Sequence, residues 1–246
     1  MEELEIAIRM AKEAGKLMMK RRKVVKPRLK ADNTWVTEAD VECEKLIKDA
    51  IRKRYKDDGF IGEELGEEKG RRTWIIDPID GTHNYLRGLN DFCCSIALKD
   101  RELVVGVVYN PKTDELFTAS RGEGAFLNGK RIDCSSTERW REAIIAYELS
   151  RREDMKGLND AAVRIARRGK SRKFGSAALD LCYVADGRID ACILNNAKAW
   201  DVAAGKIIVE EAGGRFTNIE MDGKLKGRAF IASNKSLFKK ALEDMR

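Results

Sequence analysis

The chain of 246 residues has a single histidine, His83, which all but excludes a histidine-based metal centre or a Ser-His-Asp triad. No apolar run approaches the length of a membrane span, and Met1 leads into a charged helical pattern rather than a signal peptide. The six cysteines (Cys43, Cys93, Cys94, Cys134, Cys182, Cys192) show no CxxC spacing and lie mostly in apolar segments. They read as buried, reduced thiols of a cytoplasmic protein, neither zinc ligands nor a disulfide framework. RNA-binding signatures with interleaved aromatics are absent, as are internal repeats, low-complexity tracts and long linkers.

What the chain does have is apolar content and mixed charge. Hydrophobic residues make up 43%, enough to bury a core in one large domain or two closely packed lobes. The net charge of +7 comes from 48 basic and 41 acidic residues mixed along nearly every helical stretch, the pattern of solvated faces. A nucleic-acid partner is therefore not expected, and a basic surface draws phosphorylated metabolites equally well.

The most informative stretch is Arg72 to Tyr85, RTWIIDPIDGTHNY. Trp74-Ile75-Ile76 reads as the end of a short buried strand, with Asp77 where the strand stops and Pro78 turning the chain out of the ladder. Gly81 allows a crowded turn. A helix beginning at Thr82 would aim its free N–H groups across a gap at Asp77 and Asp80, where an anion could sit. Two carboxylates would repel that anion unless cations came between. Hard oxygen ligands beside a phosphate point to magnesium.

Elsewhere the pattern is that of helices and antiparallel strands, followed by an α/β half. Leu4, Ile8, Ala11, Gly15 and Met18 share one face of an N-terminal helix. The basic run from Lys20 to Lys30, broken at Pro27, reads as a connector. Asp32 and Thr34 pass as turn residues. Thr37 and Asp40 form a capping box before a helix with Val41, Leu46, Ile47, Ala50 and Ile51 on its apolar face. Gly59-Phe60-Ile61 reads as a strand ending in Gly62-Glu63-Glu64, one glutamate of which would point at the two aspartates. Strands at 92–98, 103–109, 116–120 and 125–127 follow, with Asn128-Gly129 as a tight turn. Beyond 137, strands at 143–147, 189–194 and 230–232 alternate with helices at 153–168, 175–186, 200–212 and 236–245. Asp201 could simply cap the helix that ends at Gly213-Gly214. Two lobes follow, 1–137 and 138–246.

Thr34…Asp40, Gly62-Glu63-Glu64, Asp77-Pro78-Ile79-Asp80-Gly81-Thr82 and Trp200-Asp201-Val202-Ala203-Ala204-Gly205, in that order, resemble the inositol monophosphatase family of magnesium-dependent, lithium-sensitive phosphatases. Blocks at 122–129, 175–178 and 211–214 match as well, so the resemblance spans almost the whole chain. It implies a five-layer αβαβα sandwich and a homodimer. By position, Glu63, Asp77, Asp80 and Asp201 match metal-ligand side chains, and Ile79 a carbonyl ligand. Gly81 and Thr82 match the N–H groups that hold phosphate, Glu63 and Thr82 the pair that orients the attacking water, and Asp40 the partner of that threonine. On the substrate side, Asp80, Ser176, Ala177, Arg172 and Lys198 are the matching positions, with Lys173 in the same segment.

That resemblance implies hydrolysis of a phosphate monoester by direct attack of water, with two or three magnesium ions per site stabilising charge that carboxylates alone cannot. Residue Leu194 stands where inositol-specific members carry glutamate, so sugar phosphates such as fructose 1,6-bisphosphate are also expected; the cations at 172, 173 and 198 could receive a second phosphate, or simply face solvent. The alternatives are 3′-phosphoadenosine 5′-phosphate or histidinol phosphate as substrate, or a binding protein on the same scaffold. His83 is expected to have no catalytic role.

Overall fold

The first helix, α1 (Glu2–Arg21), buries Ile6, Ala7, Met10, Ala11, Ala14, Gly15 and Met18 along one face; of the predicted stripe Ala11, Gly15 and Met18 lie in it, while Leu4 and Ile8 are half-buried at its edge. The computed structural model describes residues 2–22, 27–29, 35–220 and 228–245. The turn residues Asp32 and Thr34 fall outside these. A small ladder pairs β1 (Arg28–Leu29) with β2 (Trp35–Val36).

Helix α2 (Glu38–Arg54) starts with the expected capping box of Thr37 and Asp40. Its buried face differs from the sequence reading: Val41 is exposed, and the stripe includes Asp40, Glu44 and Lys48 beside Cys43, Ile47 and Ile51. Each of these polar residues has a partner: Asp40 takes the Thr37 N–H and hydroxyl, Glu44 takes the N–H groups of Glu64 and Leu65, and Lys48 pairs with Glu68.

Next come β3 (Gly59–Gly62), β4 (Gly66–Glu68) and β5 (Thr73–Asp80). Strand β5 does not stop at Asp77. It runs through Pro78 to Asp80, and its register with the next strand shifts between Asp77 and Asp80. A bulge leaves the proline outside the ladder without ending the strand. After α3 (Thr82–Arg87), β6 (Cys93–Asp100), β7 (Glu102–Asn110), β8 (Glu115–Ser120) and β9 (Gly124–Leu127) follow the predicted strands closely, and β10 (Lys130–Ile132), which is not among the predicted strands, completes the meander. The turn before β10 is Asn128-Gly129, both at positive φ (48° and 78°), as a two-residue hairpin loop requires. The resulting sheet has the order β10-β9-β8-β7-β6-β5-β3-β4, with only β3 and β5 parallel.

The second half contributes β11 (Ile144–Glu148), α4 (Lys156–Ala166), β12 (Lys170–Arg172), α5 (Ala177–Ala185), β13 (Ala191–Asn195), α6 (Ala199–Glu211), β14 (Arg215–Glu220), β15 (Arg228–Ser233) and α7 (Lys235–Met245). Its strands form a five-stranded sheet in the order β12-β11-β13-β15-β14. Helix α4 is shorter than the 153–168 segment predicted, because residues 153–155 form a separate 3-10 turn.

Three buried clusters set the layers. One joins α1 and α2 to one face of the eight-stranded sheet, through Trp74, Ile76, Ile96 and Val107. A second fills the middle, where α5 and α6 lie between the sheets and meet Ile75, Ala97, Val108, Cys192 and Phe230. The third packs α4 and α7 on the far side of the five-stranded sheet, over Ile145, Ile193 and Ile231. Neighbouring residues of β5 enter opposite clusters, as strand pleating dictates. The stack is an αβαβα sandwich, and the carboxyl end of β5 opens onto its middle layer.

Candidate active site

Each piece of the site stands at an element end. Glu63 follows β3, and Asp77, Ile79 and Asp80 close β5. Gly81 and Thr82 start α3, Asp40 lies in the first turn of α2, and Asp201 lies in the first turn of α6. One carboxylate oxygen each from Asp77, Asp80 and Asp201 lie within 4.8 Å of one another. The bulge in β5 makes this possible, since it returns Asp80 to the same side as Asp77. These three line a cavity of about 200 Å³ together with Glu63, Ile79, Gly81, Thr82, His83, Trp35 and Gly175.

Backbone donors fix the carboxylates. Asp77 Oδ1 accepts the Ile79 N–H at 3.0 Å. The Asp201 Oδ2 atom accepts the Lys198 N–H at 2.6 Å, the return arm of a capping box whose other arm a lysine ammonium cannot supply. Asp80 Oδ2 accepts the Ser176 hydroxyl at 2.5 Å and the Ala178 N–H at 2.8 Å. Glu44 is fully buried and accepts the N–H groups of Glu64 (2.7 Å) and Leu65 (3.1 Å), which sets the turn that carries Glu63. Gly62 is needed in that turn because any Cβ there would collide with the Glu44 carboxylate. At Gly81, φ is 84° and an added Cβ would lie 2.7 Å from the Asp91 carbonyl oxygen and 3.2 Å from that of Gly175. Only glycine lets the loop from the first half touch the loop from the second.

Electrostatically the cluster is unbalanced. Burial, then the charge of Glu63, pushes Asp77 well above the usual carboxylate range. Burial likewise raises Asp80 to about 6, Asp201 to about 7 and Asp40 to about 7. Buried carboxylates facing one another gain most from a cation. An all-oxygen donor set fits a hard divalent ion and fits zinc or copper poorly.

The predicted residues do not all converge. Asp40 and Thr82 make no hydrogen bond to each other. The Asp40 Oδ2 atom takes the Thr37 N–H (2.8 Å) and hydroxyl (2.5 Å), while the Thr82 hydroxyl donates to the Ile79 carbonyl at 3.0 Å. Local capping outcompetes the longer reach. Oδ1 of Asp40 is buried without a hydrogen-bond partner among the described residues. The Ser176 hydroxyl is committed to Asp80, and α5 begins at Ala177 with its first turn over that carboxylate. Arg172, Lys173 and Lys198 are exposed and do not line the cavity; Arg172 donates to its neighbour's carbonyl at 2.9 Å. Leu194 is buried in the middle core.

Sequence reasoning assigned no role to Glu44 or Trp35. Glu44 was detectable, since it follows Asp40 by four residues on one helical face. Trp35 stacks edge-to-face with His83 (centroids 6.4 Å, 78°) at the cavity wall, and nothing in its local sequence separates it from a core aromatic.

Comparison with known proteins agrees along the full length. Residues 1–246 match the model of the inositol monophosphatase family. The chain is 40% identical to the Nus factor SuhB of Haemophilus influenzae over 256 residues, covering 99% of this chain and 95% of that one. It is 39% identical to an inositol-1-monophosphatase of Rhizobium meliloti over 219 residues (86% and 82% covered). The crystal structure of the extragenic suppressor protein SuhB from Bartonella henselae superposes with a TM-score of 0.92 at 34% identity, covering 100% of this chain and 99% of that one. With likeness of sequence and fold over the whole length, the chain belongs to the inositol monophosphatase family.

Proposed function

We propose that this chain is a magnesium-dependent phosphate monoester hydrolase acting on inositol monophosphate and on sugar phosphates such as fructose 1,6-bisphosphate. The observation that carries the reading is the convergence of Asp77, Asp80 and Asp201 in a cavity walled by Gly81 and Thr82. The side chains of Glu63, Asp77, Asp80 and Asp201 and the Ile79 carbonyl would hold the cations, two or three per site. Magnesium bound there supplies positive charge for the phosphoryl group and leaving alkoxide, and lowers the pKa of a water.

The remaining roles belong to the chain itself. The N–H groups of Gly81 and Thr82 hold the phosphoryl oxygens without reorganisation. Glu63 and the Thr82 hydroxyl orient the attacking water. Asp40 Oδ1 is the acceptor Thr82 would use once its hydroxyl leaves the Ile79 carbonyl. Leu194 offers no hydroxyl acceptor, which favours relaxed selectivity over a strict inositol reader.

Phosphate release with magnesium should be measured on inositol 1-phosphate, fructose 1,6-bisphosphate, 3′-phosphoadenosine 5′-phosphate and histidinol phosphate. Comparable turnover of the first two supports the reading, and a strong preference for either of the last two moves the chain to another substrate class. Asp201→Asn should lower turnover on the order of 10²-fold or more with the fold intact. Undiminished turnover would refute the metal assignment. A second reading, a binding role on the same scaffold, draws on the Haemophilus influenzae relative, a Nus factor by name. It predicts a function that Asp201→Asn leaves untouched.

A further inference from the structure

Asp80 uses one of its two carboxylate oxygens to hold the other half of the chain. Its Oδ2 receives the Ser176 hydroxyl at 2.5 Å and the Ala178 N–H at 2.8 Å, and the Cys93 thiol lies 3.8 Å away. All three donors are buried, so none has water as an alternative partner. Ser176 is the N-cap of α5, in extended backbone (φ −143°, ψ 107°). Its oxygen accepts the Leu179 N–H only at 3.4 Å, while its proton goes to Asp80 over the much shorter distance.

The base from which Ser176 reaches is itself held. The Asn84 side-chain amide donates to the carbonyls of Phe174 and Asp91, both at 2.6 Å, pinning the segment just before Ser176 to α3. Gly175 adopts φ 79°, and its carbonyl approaches Gly81. A serine fixed at this point cannot follow Asp80 if the carboxylate turns. Its donors constrain Oδ2 from one side, and one oxygen of Asp80 joins the cluster with Asp77 and Asp201.

We propose that Ser176 is a positioning residue for the cation site, locking the Asp80 carboxylate so that a single oxygen, Oδ1, is presented to magnesium. The inference rests on the proposed reading of the cluster as a magnesium site. A ligand already oriented by its hydrogen-bond partners loses less freedom on binding, which is how outer partners of metal ligands raise affinity. Donation by the Ser176 hydroxyl to a substrate would require breaking the bond to Asp80, at a residue that is 1% exposed.

Magnesium binding should be measured by isothermal titration calorimetry, without substrate, on the full chain and on Ser176→Ala, Ser176→Gly and Ser176→Thr. Glycine is nearly as good a helix N-cap as serine, so it removes the hydroxyl while sparing α5. The Ala and Gly variants should bind magnesium about 10–100-fold more weakly, with Thr within about threefold of wild type. A Gly variant that binds as wild type overturns the positioning role and leaves the proposed function standing. Wild-type protein that binds no magnesium overturns both.

Discussion

A methyl group at position 81 would sit 2.7 Å from the Asp91 carbonyl oxygen on a backbone at φ 84°. Gly81→Ala should therefore destabilise the fold by about 1–3 kcal/mol in urea unfolding, and reduce magnesium-dependent phosphate release further than the unfolded fraction explains. Asp180 poses a different problem. It is fully buried in α5, neither carboxylate oxygen has a hydrogen-bond partner among the described residues, and burial followed by the Glu148 charge raises its pKa well above normal. Because the folded-state pKa lies above the unfolded one, stability contributed at low pH is lost as pH rises through that window. Asp180→Asn lacks this slope. Relative to wild type it should gain about 1.4 kcal/mol per pH unit between the two values, read from urea curves at pH 5 and pH 8. Parallel curves would show that Asp180 is paired. At this scale the meeting of Asp77 with Asp80 was legible because both stand within one six-residue stretch, DPIDGT. The Ser176–Asp80 bond was not, since it joins residues 96 apart. For Asp40, the capping read from its own segment describes its observed contacts better than the pairing implied by resemblance.

Elements were legible where periodicity ran long enough to show. The meander β6 to β9 appeared because each strand carries its own apolar pattern and turn. Strand β12 did not, since Lys170, Ser171 and Arg172 form an exposed edge with no apolar signal. The stop placed at Pro78 followed a sound local rule that a bulge evades. What secures β5 at its other end is Arg72. It donates to Asp58 through Nε (3.1 Å) and Nη2 (2.9 Å), to Glu3 through Nη1 (2.9 Å), and lies 4.9 Å over the Tyr55 ring. Asp58 also accepts the Trp74 indole N–H at 2.9 Å, so α1, α2 and β5 meet in one largely buried network. Arg72→Ala should cost about 3 kcal/mol by urea midpoint, and Arg72→Lys should restore less than half of it, because an ammonium cannot replace the fork. A loss under about 1 kcal/mol for Ala would place the network among ordinary surface pairs.

On the scale of the molecule, the two sheets share a middle layer, and the candidate ligands come from both halves. A cation joining Asp77 and Asp80 to Asp201 would tie the halves together and stabilise the whole fold. At a magnesium concentration 100 times its Kd, the gain is about 2.7 kcal/mol. For a chain of this size that raises Tm by roughly 5–10 °C over protein in EDTA, measured by calorimetry. Asp201→Asn should show little of this rise; an equal response would place the stabilising ion elsewhere.

Helix α6 is encoded between two strands of the five-stranded sheet, yet it packs on β5, β6, β7 and β8 of the other sheet. During synthesis, the eight-stranded sheet is therefore complete in sequence at Ile132, well before the helix that covers its inner face has left the ribosome. Until residue 211 emerges, Ile75, Ala97, Val108, Phe117 and Ala119 lack their partner. The nascent chain must carry that apolar face uncovered through the translation of nearly 80 further residues, an interval of several seconds at ordinary elongation rates. The arrangement that brings Asp201 to Asp77 and Asp80 thus leaves the inner face of the first sheet open until late in synthesis.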